Sequence, residues 1–471
     1  MKRVAALAVV GLASAGLSAA AAYFGGTFEL TLHGDPVRGV SGRAGVETGD
    51  CSQCHYTHAS DQGTSLPAHD MLLPMANDDN LCFVCHAGAG AEKVYLGQGE
   101  ATANAHATSN AFRWPGPVPP ARPAGDQGKC LNCHDPHGFA DASGLIPRMA
   151  VAREQNSCLT CHDGNGPAAD DIAGELQRAY AHPVATIDGK HDAGEGGTPG
   201  NFAGGNRHAE CEDCHNPHAA RENTGGTQPP VAGEPLRGVS SVRVTNGAAG
   251  TSPIYTWVDG DQNLLSGPKE YEVCFKCHSG WTTLPVGAED LAVELNPNNP
   301  SYHPVEAQGN DPNIRAGSFV NGWTATSVVL CSDCHRSPDP QSPAGPHGSD
   351  QRALLAGSWP ANTQKQITPP DLICFQCHRY DTYANDGASD TIKGYSRFNR
   401  PAFSKGHTFH VDKKQRPCAA CHEVHGSHSL PSLIRIGANP GLNQYQQNNN
   451  GGQCWPTCHG SKSYNRLNYG R

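Results

Sequence analysis

The chain has 471 residues, including 55 glycines, 36 prolines and 20 cysteines, and a formal net charge of −10. The acidic balance argues against nucleic-acid binding, for which a basic patch is expected. Glycine and proline are dense enough to make loops the rule, so the expected fold is mostly irregular, with short helices and a few short strands.

Lys2 and Arg3 precede an apolar run from Val4 to Ala22 that ends in small residues, which reads as a secretory signal over 1–22. An uncleaved anchor is the competing reading, because the run approaches spanning length. Export to the periplasm, or beyond it to the outer surface, is therefore expected.

All 20 cysteines then fall into ten sites. Nine read C-x-x-C-H: Cys51, Cys54 and His55; Cys82, Cys85 and His86; Cys130, Cys133 and His134; Cys158, Cys161 and His162; Cys211, Cys214 and His215; Cys274, Cys277 and His278; Cys331, Cys334 and His335; Cys374, Cys377 and His378; Cys418, Cys421 and His422. The tenth, Cys454, Cys458 and His459, has one extra spacer residue. In this motif both thiols add to heme vinyl groups and the histidine supplies one axial nitrogen to iron. Zinc sites or disulfides are the blander reading of one such motif, but ten copies with no cysteine left over favour ten covalent c-type hemes. The porphyrins would also supply apolar interior that the side chains lack.

The sites form five pairs, which divide the chain at 23–100, 101–175, 176–295 (with an insert at 219–273), 296–395 and 396–471. Each first motif runs on to another histidine: His58, His137, His218 and His425 directly, and His347 after what looks like a nine-residue insertion. Second motifs have a different preface, as in Leu81-Cys82-Phe83, Val273-Cys274-Phe275 and Ile373-Cys374-Phe375. Histidines also trail the second motifs at His106, His182, His303 and His407, two of them in a shared His-Pro-Val context. An internal repeat of this kind defines the architecture.

With these features the chain resembles multiheme cytochromes of the doubled C-x-x-C-H motif family, which includes periplasmic electron carriers and cytochromes of extracellular electron transfer. The resemblance implies covalent heme c, attachment outside the cytoplasm, and redox proteins or extracellular electron acceptors as partners.

Methionine is scarce, with Met71, Met75 and Met149 the candidates beyond the leader, so bis-histidine, low-potential iron is expected throughout. A histidine three residues past a proximal ligand cannot reach the far face of its own heme. His58, His137, His218, His347 and His425 are therefore expected to serve the other heme of their own pair. His33, His106, His182, His303 and His407 form the second set, expected to serve the preceding pair, with His410 competing for the place of His407. His69, His191, His208 and His428 fall outside the repeat. On this scheme the tenth heme lacks a donor and His33 lacks a heme; either His33 of one subunit serves the terminal heme of the next, in an open filament, or His33 serves a heme of the first pair and a spare histidine such as His428 serves the tenth.

Between the motifs, Asp170–Tyr180 and Glu289–Leu295 read as short helices. Val239 to Val244 and Ile254 to Val258 suggest a β-ribbon in the insert. Gln444–Gln453 reads as a solvated Asn/Gln/Gly spacer. The expected function is electron transfer with no catalytic residue. The alternative is a reductase of nitrogen or sulfur oxyanions acting at one atypical heme.

Overall fold

The computed structural model describes residues 28–56, 72–76, 78–88, 91, 93–94, 104–108, 129–142, 144–153, 155–184, 208–223, 225, 227–398 and 406–468. The signal-like segment, His58, His69, Met71 and His191 lie outside the described residues. Contacts group residues 1–169 and 170–471 into two units.

Regular structure is short and local, as the composition requires. The longest described helices, Asp79–His86 and Glu270–His278, each end in a second motif of a pair. First motifs sit on single turns, such as Cys51–Gln53, Cys130–Asn132, Cys211–Cys214 and Cys418–Ala420. The expected helices appear in shortened form at Ile172–Leu176, capped by Asp171, and Leu291–Glu294, capped by Asp290, while Tyr180, expected in the first of them, lies in a strand. An Asp side chain that accepts from a first-turn N–H satisfies a donor the helix cannot.

The strands form small antiparallel ribbons. β1 (Ala140–Asp141) pairs with β2 (Gly144–Leu145), and β4 (Ser241–Thr245) with β5 (Ile254–Val258), the ribbon expected in the insert. β3 (Tyr180–Ala181) pairs with β7 (Gly348–Ser349), and β6 (Ser301–Tyr302) with β8 (Gly426–Ser427). These last two ribbons join the segment ahead of one motif pair to the first motif of the pair after it. Gly348 and Gly426 follow His347 and His425, and a Cβ at either would lie under 2 Å from the carbonyl oxygen of Glu175 or Glu294. Glycine is required there because a helix end presses on the backbone.

Residues 444–453 correct the spacer reading. β9 (Leu442–Asn448), β10 (Gly451–Pro456) and β11 (Lys462–Asn465) form a three-stranded sheet in the order β11-β10-β9. Leu442 and Tyr445 are buried on one face, and the glutamines and asparagines around them point outward. Polar composition hid a strand whose few inward residues do the packing.

The main apolar cluster of the second unit gathers Tyr271, Phe275, Ala292, Leu295 and Val305, with Cys331 against it. The phenylalanine of the second-motif preface is therefore core. Beside this cluster Glu306 accepts from Asn246 Nδ2 at 2.6 Å, and burial pushes its carboxyl up to about 7. Because the folded value is raised, its stabilising contribution is complete below the unfolded value of about 4.5 and is lost as pH rises through about 7. Glu306→Gln is expected to leave stability little changed at pH 4 and to raise it by roughly 2–3 kcal/mol at pH 8. Thermal melts at the two pH values test this, and an equal gain at both would count against it.

Candidate heme-ligand sites

The first motif of each pair closes a turn in which the histidine N–H donates to the carbonyl of the first cysteine. The distances are 2.9 Å for His55 to Cys51, 3.0 Å for His134 to Cys130, 2.9 Å for His215 to Cys211, 2.8 Å for His335 to Cys331 and 3.0 Å for His422 to Cys418. That i to i+4 bond sets two thiols and one imidazole along one side of a short segment. The local sequence thus builds half of each site.

The other half comes from distant residues. Eight histidine pairs bring their ring centroids to a nearly constant separation: His33 and His86 at 6.0 Å, His55 and His137 at 6.0 Å, His106 and His162 at 6.3 Å, and His182 and His278 at 6.3 Å. The remaining four are His215 and His347 at 6.0 Å, His335 and His425 at 6.3 Å, His407 and His422 at 6.1 Å, and His410 and His459 at 6.2 Å. Two rings in direct stacking contact would lie much closer. A metal–nitrogen bond of about 2.0–2.1 Å on each side, plus the distance from nitrogen to ring centre, gives roughly 6 Å. Each pair therefore fits one metal atom between its imidazoles, with room for a porphyrin plane.

The electrostatics suit the same chemistry. A ligand imidazole must be neutral. Burial lowers His378 to about 4, His407 to about 3 and His425 to about 4, and it lowers His33, His182, His303, His335 and His410 as well.

Backbone carbonyls fix the tautomer. Nδ1–H of His134 donates to Arg148 O at 3.1 Å, His215 to Pro235 O at 3.1 Å, His335 to Ala353 O at 2.8 Å and His422 to Ser432 O at 3.0 Å. On the opposing side His33 donates to Pro136 O at 3.3 Å, His182 to Pro346 O at 2.7 Å and His303 to Val424 O. Those three acceptors immediately precede His137, His347 and His425. A donor at Nδ1 leaves Nε2 as the free lone pair and raises its basicity.

The ring pairs correct the expected wiring. His137 faces His55, His347 faces His215 and His425 faces His335, so each lies opposite the first motif of the preceding pair and not the other motif of its own. The second set is shifted the other way. His106 and His182 face His162 and His278, the second motifs of the pairs that follow them, where preceding pairs were expected. After burial, His303 is the largest influence lowering His378, so the two lie near each other. His407 and His410 are not competitors, because one faces His422 and the other His459. His33 faces His86 within its own chain. Within the chain, then, His410 lies opposite the tenth motif and His33 opposite the second.

His218 follows His215 on a turn in which Asn216 Oδ1 accepts from its N–H at 3.0 Å, as Asp135 Oδ1 does from His137 at 2.9 Å. Of the histidines outside the repeat, His208 is buried with Nε2 3.7 Å from Glu210, and exposed His428 packs on Gly250.

The thiols run in chain order. Bonding between the side chains is the chief influence raising Cys130 (from Cys82), Cys274 (from Cys331) and Cys374 (from Cys418). Burial raises Cys54, and it pushes Cys161 to about 11 and Cys334 and Cys421 to about 12; Cys85, Cys133, Cys377 and Cys454 add to these respectively. Within each unit, consecutive attachment sites are therefore neighbours.

Two carboxylates hold this order, and neither stands out in the sequence. Asp79 Oδ1 accepts from the N–H groups of Lys129 and Cys130 at 2.6 and 2.9 Å, and Glu270 accepts from Ser332 N and Oγ at 2.8 Å each. Each lies at the start of a second-motif helix and caps the first-motif turn of the next pair.

A family model described as the doubled CXXCH motif matches residues 44–91 and 123–166. The two matched segments hold the first two motif pairs, a likeness that supports a multiheme c-type cytochrome. No curated protein and no solved structure matches. Among the described residues of the cytochrome, no helix is long and apolar enough to cross a membrane.

Proposed function

We propose that this cytochrome is an exported electron carrier whose ten motifs each hold one heme c, with two histidines on every iron. Heme c, when bound, supplies reversible one-electron exchange at its iron. The protein's part is to hold the imidazoles neutral, orient them through Nδ1–H and set neighbouring sites close together. The observation that carries this reading is the recurrence of a 6.0–6.3 Å ring separation in eight histidine pairs. Its natural partners are other redox proteins or extracellular acceptors.

The reductase alternative would need an open axial position, and its best candidate was the atypical tenth site. That site has His410 opposite His459 at 6.2 Å, which favours a carrier. Mass spectrometry of the denatured mature protein is expected to show the chain plus ten heme masses. Nine would mean that Cys454 and Cys458, with their longer spacer, do not form a site. Magnetic resonance of the ferric protein is expected to show low-spin iron throughout, whereas one high-spin heme in ten would favour the reductase.

A further inference from the structure

The carboxy-terminal segment departs from the charge of the rest of the chain. The whole sequence has 34 Lys and Arg against 44 Asp and Glu, yet residues 401–471 hold eight basic residues and two acidic ones. The folding of this segment places much of that charge around the tenth motif. Lys413 and Lys414 close the π-helical turn Phe409–Lys413 that carries His410, and Lys414 Nζ sits 5.2 Å from the Phe409 ring. Arg416 N donates to His410 O at 2.9 Å. On the other side Lys462 lies opposite Cys454 in the β10–β11 register, its carbonyl 3.5 Å from the Cys454 thiol.

Phe398 ties the two sides together, its ring 6.2 Å from His410 and 4.9 Å from Tyr464, over which Arg466 lies at 5.9 Å. Cys458, His459, Lys413, Lys414 and Lys462 are all exposed. The one acid on the turn, Asp412, is engaged with Asp386 N at 3.0 Å and with Lys413 at 3.4 Å. The exposed end of the tenth motif therefore has basic residues on the segments to either side of it, on a protein that is otherwise acidic.

We propose that this module is the docking face for an acidic redox protein, with the site at Cys454, Cys458 and His459 as the port through which electrons pass. The proposal rests on the heme reading above and adds the location and the charge of the partner. A basic face on an acidic molecule orients an acidic partner by attraction at the port and repulsion elsewhere, which raises productive encounter.

The test is stopped-flow reduction of the holoprotein by flavodoxin hydroquinone, an acidic one-electron donor, with methyl viologen radical cation as control. The variant carries Lys413→Glu, Lys414→Glu and Lys462→Glu together. At low ionic strength flavodoxin is expected to react about tenfold more slowly with the variant. The viologen should lose no rate, and the flavodoxin difference should shrink as salt screens it. An unchanged flavodoxin rate, or equal slowing by both reductants, would overturn the proposal. Heme mass and spin state are measured on both proteins first. A parent lacking its tenth heme would sink the heme reading itself, separately from the docking face. If the glutamate variant does not assemble, the corresponding glutamine triple is expected to show a smaller loss confined to flavodoxin, and no loss would again overturn the idea.

Discussion

Replacing His347 with alanine is expected to turn one heme high-spin, and that heme is the one attached at Cys211 and Cys214. The ring of His347 stands 6.0 Å from His215, although the two residues belong to different pairs. Losing one of two axial imidazoles opens the iron, so the change should be nearly complete for that heme and absent elsewhere. Double variants identify the site by counting. His215→Ala with His347→Ala removes two ligands from one iron and should alter one heme. His378→Ala with His347→Ala should alter two. Within-pair ligation, in which His347 serves the heme of His378, predicts the reverse. Magnetic resonance and carbon monoxide titration of the reduced protein both report the count, and the reversed result would falsify the between-pair wiring.

A second large effect is expected at the chain end. His410→Ala should open the tenth heme to exogenous ligands, with one equivalent of carbon monoxide bound per reduced molecule. His407→Ala should do the same at the ninth, because the two histidines face His459 and His422 separately. Changing both together should expose two hemes. If the double variant exposes only one, the two residues are alternatives for a single iron. The turn Phe409–Lys413 explains why one short segment can serve two sites. His407 enters it between Tyr383 at 5.1 Å and Phe398 at 5.0 Å, whereas His410 is held by its own Nδ1–H bond to Gly406 O at 2.7 Å.

First motifs take their opposing histidine from the next pair, as at His55, His215 and His335. Second motifs take theirs from the segment ahead of their own pair, as at His86, His162 and His278. Ribbons β3–β7 and β6–β8 run beside these links, and Gly348 and Gly426 allow the close backbone approach. Within each unit, adjacent pairs are thus joined by facing histidines, hydrogen bonds and packing at the same points. The few buried side chains available to each module would not have achieved that alone.

Some of this molecule is a local property of its sequence. Cys-x-x-Cys-His closes one turn whatever surrounds it, so the attachment residues and proximal histidines are legible residue by residue. The β4–β5 ribbon and the helices at Ile172–Leu176 and Leu291–Glu294 are likewise written in short-range pattern and capping. The repeat also marked which other histidines were special, because chance does not place them at matched positions.

Which histidine meets which was not a local property. A distal ligand is chosen by where the chain returns, and that depends on the β-ribbons, on the glycines at 348 and 426, and on the carboxylates of Asp79 and Glu270 that cap a turn some fifty or more residues away. The rule that a ligand cannot reach its own heme was sound, but it excluded one site and left several open. The Gln- and Asn-rich strand β9 was missed for a related reason. Its identity rests on Leu442 and Tyr445 finding a buried face, and only the folded sheet supplies that face.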